Sequence, residues 1–169
     1  MTVHFRVAKI SDSEAIADVY FRSRTELVSC APLVHSQDEV RNWVGRYLIP
    51  AGRTTVAIDH SLVVGFLTIF SHSDFNWVEQ LYVDPTRVAQ GIGTGLLAIA
   101  RSKMLPPIRL YTFQCNQRAR YFYERHGFKA IDFSDGSENE EKCPDILYEW
   151  REDDSHTTAC QAVHANRYE

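Results

Sequence analysis

The stretch from residue 77 to residue 104 constrains this chain more than any other. WVEQLYV (77–83) has the β-branched and aromatic content of a strand, and it stops at Asp84-Pro85, where proline lacks the N–H that a ladder would need. Gly91, Gly93 and Gly95 follow, and then Leu96, Leu97, Ala100 and Met104 recur at helical spacing. A strand therefore passes into a helix through a glycine-rich turn. The first amides of a helix have no carbonyl behind them, so such a turn forms a concavity of donors that suits a phosphate or diphosphate. A plain tight turn would use the same glycines, and the run alone leaves both readings open. Two familiar phosphate loops are disfavoured. There is no G-x-x-x-x-G-K-[ST], and the glycines run G-x-G-x-G, not G-x-G-x-x-G.

The rest of the chain supplies elements that can pack around this junction. VHFRV (3–7) alternates like a short strand, and Ser11 or Asp12 can cap a helix with Ala15, Ile16, Val19 and Tyr20 on one face. Ser36 and Glu39 form a capping-box pattern before a stripe of Val40, Trp43, Val44, Tyr47 and Leu48, which Pro50 and Gly52 end. TTVAI (54–58) and LVVGFLTIF (62–70), joined by Asp59-His60-Ser61, read as a hairpin. Pro106-Pro107 precede the strand IRLYTF (108–113). Asn116 can cap a helix carrying Ala119, Phe122, Tyr123 and His126, closed by Gly127, and strands near 128–133 and 146–150 follow. This order predicts an α/β (α+β) architecture with a mixed, mostly antiparallel central sheet flanked by helices.

With 169 residues the chain is the size of one ordinary domain, assigned to residues 1–150, and residues 151–169 lack apolar periodicity and read as a mobile or partner-bound tail. Eighteen basic against twenty-two acidic residues would repel a phosphate backbone, so nucleic acid is not an expected partner. No run of about 18 apolar residues suits a membrane span, and the N-terminus lacks the order of an export signal, so a cytoplasmic protein is expected. Cys30, Cys115, Cys143 and Cys160 lie far apart, without zinc-ligand spacing, and predict free thiols and no metal site.

LYVDP (81–85), QGIGTGLL (90–97) and NQRARYFYERHGF (116–128), in that order and separation, resemble the GCN5-related N-acetyltransferases, the GNAT family. The likeness spans nearly the whole element order from Val3 to Trp150. It implies a splayed strand pair at the cofactor site and acetyl-CoA as the acetyl donor. It also implies that main-chain groups of Leu81, Tyr82 and Val83 bond the pantetheine arm and thioester. The diphosphate would rest on Val88, Ala89, Gln90, Gly91, Ile92, Gly93 and Thr94. Val88 occupies the position where the family usually has Gln or Arg, which main-chain binding tolerates, with Arg87 or Gln90 available to help. Asn116 would contact pantetheine, and Tyr123 would be the general acid.

Acyl transfer to an amine needs a deprotonated nucleophile, a polarised carbonyl and a proton for the departing thiolate. Asn116 and Tyr123 are seven residues apart and share a helix face about 10 Å along the axis. A phenol suits protonation of a thiolate, although Tyr123 could equally pack in the core. Glu79 is the candidate base, since strand alternation places it with Trp77, Leu81 and Val83 on one side, although it could simply pair with an arginine. His126 and Asp84 are weaker contenders. The expected acceptor side comprises Tyr20, Arg24, Cys30, His35, Trp43 and Trp77. The expected reaction is direct acetyl transfer to a primary amine in a ternary complex, with a small-molecule acceptor preferred. A protein or peptide acceptor, or a non-catalytic acyl-CoA sensor, is the alternative, and a homodimer remains open.

Overall fold

The computed structural model describes residues 3–152; the greater part of the expected tail lies outside the described residues. Seven strands form one sheet: β1 (His4–Val7), β2 (Thr54–Asp59), β3 (Leu62–Ser71), β4 (Asn76–Val83), β5 (Ile108–Phe113), β6 (Lys129–Ser134) and β7 (Asp145–Trp150). Their spatial order is β1-β2-β3-β4-β5-β7-β6. Every neighbouring pair is antiparallel except β4 and β5. Four helices pack on it: α1 (Ser13–Thr25), α2 (Gln37–Trp43), α3 (Ile92–Lys103) and α4 (Gln117–Arg125).

The amphipathic stripes determine which helix covers which face. Ile16, Val19, Val40 and Val44 from the α1/α2 side meet Val56 and Phe66 on one face of the sheet. Leu96, Leu97 and Ala100 of α3 and Tyr123 of α4 meet Leu67, Val78, Leu110, Ile146 and Tyr148 on the other. Each such fully buried aliphatic side chain contributes about 1.5–3 kcal/mol. Ser36 caps α2 as its sequence implies, accepting from the Glu39 amide at 3.3 Å while Glu39 accepts from the Ser36 amide at 2.8 Å.

Two irregularities depart from the sequence periodicities. The last turn after α2, Val44–Leu48, is π-helical, with Ile49 donating to the Val44 carbonyl at 3.1 Å. It carries Tyr47 out of the apolar stripe, leaving it 67% exposed. In β4, Gln80 faces Thr68 of β3 while Val78 faces Ile69, so Glu79 is the extra residue of a β-bulge. The simple alternation that grouped Trp77 and Glu79 with Leu81 and Val83 is therefore corrected: Val78, Leu81 and Val83 all meet the α3/α4 core, and Glu79 is exposed.

Candidate active site

β4 and β5 pair only at Asn76 with Ile108 and Trp77 with Arg109, and beyond that they part. β5 then continues along β7, while β4 continues along β3. The Asp84 amide donates to the Val64 carbonyl at 2.9 Å, which makes 64 and 84 a hydrogen-bonded pair of the antiparallel ladder. Counting back in the same register, Tyr82 opposite Phe66 also spends its peptide groups on β3, whereas those of Leu81 and Val83 face the gap. In this register the Tyr82 main-chain groups are taken up by β3. Its ring packs against Phe66 and Tyr20 on the α1/α2 side of the sheet, with centroids 5.5 and 5.2 Å away. The Val83 carbonyl already accepts from the Ser23 hydroxyl at 2.8 Å, which leaves its N–H.

At the end of β4 the chain makes a 3-10 turn, Pro85–Arg87, and reaches α3 through Val88 to Gly91. Among the described residues, the amides of Val88, Ala89, Gln90, Gly91, Ile92, Gly93 and Thr94 have no protein acceptor; the first bond of the helix is Gly95 to the Gly91 carbonyl, 2.9 Å. Ala89 and Gly91 both have positive φ, 61° and 80°, so successive N–H groups turn toward a common centre. The three glycines do different work. Gly91 supplies the left-handed conformation, and a Cβ on it would meet nothing within 4 Å. Gly93 admits the Phe122 ring of α4, which a Cβ would approach to 3.2 Å, and Gly95 admits the Phe5 ring, at 2.4 Å. Arg87 does not reach over this cradle, because its guanidinium is held by the buried Asp59 at 2.8 Å.

α4 flanks the gap from β5's side. The Asn116 carbonyl oxygen caps it by accepting from the Ala119 amide at 3.0 Å, leaving the carboxamide NH₂ without a partner among the described residues. Tyr123 lies in the core against Phe122 and Phe128, with centroids 5.2 and 5.7 Å away. Burial pushes its phenol above the ordinary range. Of the two sequence readings of Tyr123, the core packing is what these contacts describe.

Residues 50–130 match the family model described as acetyltransferase (GNAT) domain. Over that stretch the chain is similar to the GNAT family. The PaiA N-acetyltransferase of Thermoplasma acidophilum, solved in complex with coenzyme A, superposes at a TM-score of 0.70 and 22% identity, over 90% of this chain and 100% of its own. Apo YjaB of Escherichia coli gives 0.69 and 21%, over 89% and 98%. A chain of the NatC complex, bound to Gag peptide and CoA, gives 0.65 and 20%, over 90% and 99%. At these identities the likeness is one of fold. No curated protein sequence matches the chain.

The expected acceptor residues are not gathered in one place. Trp43 and Glu79 share a cavity of about 210 Å³ with Tyr47, Arg53, Thr68 and Gln80. Trp77 stacks on Tyr111 at 5.6 Å. Arg24 is buried, donating to the Pro32 carbonyl at 3.1 Å and to Glu141 at 3.2 Å, with its guanidinium 4.9 Å from the Phe113 centroid. His35 pairs with Glu140 at 2.9 Å. Asp84 accepts from the Thr86 amide and hydroxyl and pairs with Arg22 at 2.8 Å, which occupies it structurally. His126 bonds the Phe122 carbonyl at 2.7 Å and the Thr94 hydroxyl at 3.1 Å, placing it beside the glycine loop.

The expectation of free thiols is overturned for two of the four cysteines. Cys30 and Cys115 form a disulfide, their Cα atoms 6.4 Å apart. Eighty-five residues of sequence separation concealed that the segment after α1 meets the residue before the α4 cap. Cys143 is free and buried, its thiol pushed up by burial, and Cys160 lies outside the described residues. Tyr47 and Arg53 were also missed as cavity residues. Tyr47 fitted a helical core stripe, and nothing in the sequence marks a π turn. Among the described residues no helix is long and apolar enough to cross a membrane.

Proposed function

We propose that this protein moves an acetyl group from acetyl-CoA to a primary amine by direct transfer in a ternary complex, with a small molecule as acceptor. The observation that carries this reading is the pairing of seven unpartnered amides at 88–94 with a strand gap whose open groups belong to Leu81 and Val83. The donor set fits a diphosphate followed by an amide-bearing arm. The solved relatives named with coenzyme A share the fold around it. Bound acetyl-CoA supplies the electrophilic thioester carbonyl and the thiolate leaving group.

The chain's own residues supply the rest. The Val83 and Leu81 peptide groups orient the donor arm, and the Asn116 carboxamide NH₂ is free to bond it. The Tyr123 Oη delivers its proton to the departing sulfur. The exposed Glu79 carboxylate on the bulge takes the ammonium proton, directly or through water. The disulfide occupies Cys115, and Cys143 is buried, which supports attack by the amine itself and not by a cysteine intermediate.

Thiol release from acetyl-CoA, measured across an amine and peptide panel, tests the reading. Tyr123→Phe is expected to lower kcat about 100-fold while the acetyl-CoA KM stays within about twofold. Equal turnover in the variant and the parent removes the acid assignment. Saturable binding without release on any acceptor replaces the enzyme by a sensor.

A further inference from the structure

Two backbone irregularities converge on one cavity. The β-bulge of β4 presents Glu79 to it, and the π-helical turn after α2 presents Tyr47, with Trp43 one turn earlier. Irregularities of both kinds re-aim side chains at functional sites. The chemistry of the lining is specific. Glu79 and Arg53 enter no ion pair or side-chain hydrogen bond among the described residues, although each borders the same space of about 210 Å³. Arg53 places its guanidinium carbon over the Phe70 ring, 4.6 Å from the centroid, a contact that takes up none of its N–H donors. Trp43 and Tyr47 add aromatic surface, and Thr68 and Gln80 add polar groups.

A cavity with one unspent carboxylate, one unspent guanidinium and aromatic surface is complementary to a small molecule carrying both charges. We infer that this cavity seats an acceptor amine that also bears a carboxylate, an amino acid in chemical class, with its ammonium toward Glu79 and its carboxylate toward Arg53. A guanidinium meets a carboxylate through two parallel N–H donors, whereas a lone ammonium would gain nothing from Arg53 and would be repelled by it. The inference deepens the acetyl-transfer reading and rests on it for the fate of the amine. The seating of the amino acid rests on the cavity alone.

The test compares the twenty L-amino acids with their amides and decarboxylated amines, for example L-leucine, L-leucinamide and isopentylamine. Calorimetric titration uses the CoA-loaded protein, and thiol release uses acetyl-CoA. At least one amino acid is expected to bind about 10- to 100-fold more tightly than its matched amide and amine, the range of one charge-assisted contact. Arg53→Gln is expected to collapse that ratio and Arg53→Lys to restore part of it. Arg53 is exposed, so both variants should fold. The inference is overturned if no amino acid outbinds its amide, or if Arg53→Gln leaves the ratio where it was. If no amine releases thiol but the carboxylate preference is present and lost in Arg53→Gln, the cavity assignment stands and acetyl transfer falls.

Discussion

Gly91→Asp separates the proposed diphosphate cradle from the fold that carries it. Gly91 sits at φ 80° at the N-terminus of α3, and a Cβ there would meet no atom within 4 Å. The fold therefore has room for a Cβ there, at the cost of a left-handed L-residue. A left-handed L-residue costs about 1–2 kcal/mol, less for aspartate, and a carboxylate at a helix N-terminus returns about 0.3–1 kcal/mol. Stability should change by about 1 kcal/mol or less on these terms. Binding should respond differently, because the carboxylate sits among the amides that would hold the diphosphate. One like charge about 5 Å away at an effective dielectric of 20 costs about 3 kcal/mol, or about 100-fold in Kd. Gly91→Ala has a comparable backbone cost without the charge and serves as the reference. Calorimetric titration with coenzyme A, beside thermal unfolding of the same samples, reads both effects. The penalty should shrink as salt rises from about 0.05 to 0.5 M. A folded Gly91→Asp protein that binds within threefold of Gly91→Ala would refute the main-chain cradle.

Ala89 holds φ 61° without being glycine. Ala89→Gly should therefore stabilise the protein by about 0.5–1 kcal/mol in urea titrations, once glycine's greater unfolded-state freedom is subtracted. Cys30→Ser and Cys115→Ser should each lower stability by about 2–4 kcal/mol, and the double variant should lose no more than either single one, because both remove the same cross-link; unfolding with and without reductant checks this. Hydrogen bonds from Arg6 at 2.7 and 2.9 Å hold the Asp12 carboxyl below the usual carboxylate range. The stabilisation is present above the unfolded value of about 4 and is lost as pH falls through the lower folded value. Unfolding free energy should accordingly drop below about pH 4, and Asp12→Asn should flatten that part of the profile.

Much of the architecture is written locally. The capping box at Ser36 and Glu39, the proline stop at Asp84-Pro85 and the Asn116 cap each act within a few residues, so their elements lie where the sequence places them. The glycine run between strand and helix is local too, and so is the chemistry of its free amides. What depends on distant partners is not legible in this way. Gly93 and Gly95 look like loop glycines, but Phe122 and Phe5 from other elements require their missing side chains. Arg87 looks available to an anion until Asp59 arrives from β2 to hold it.

By itself the sequence determined the strand, turn and helix that carry the unpartnered amides, because helix-end amides and the left-handed turn before them depend on neighbouring residues alone. Only the tertiary structure decided that Tyr82 spends its peptide groups on β3, that Glu79 lies on a bulge, and that Cys30 meets Cys115. Register, bulges and cross-links are relations between segments far apart in the chain, and no local periodicity encodes them.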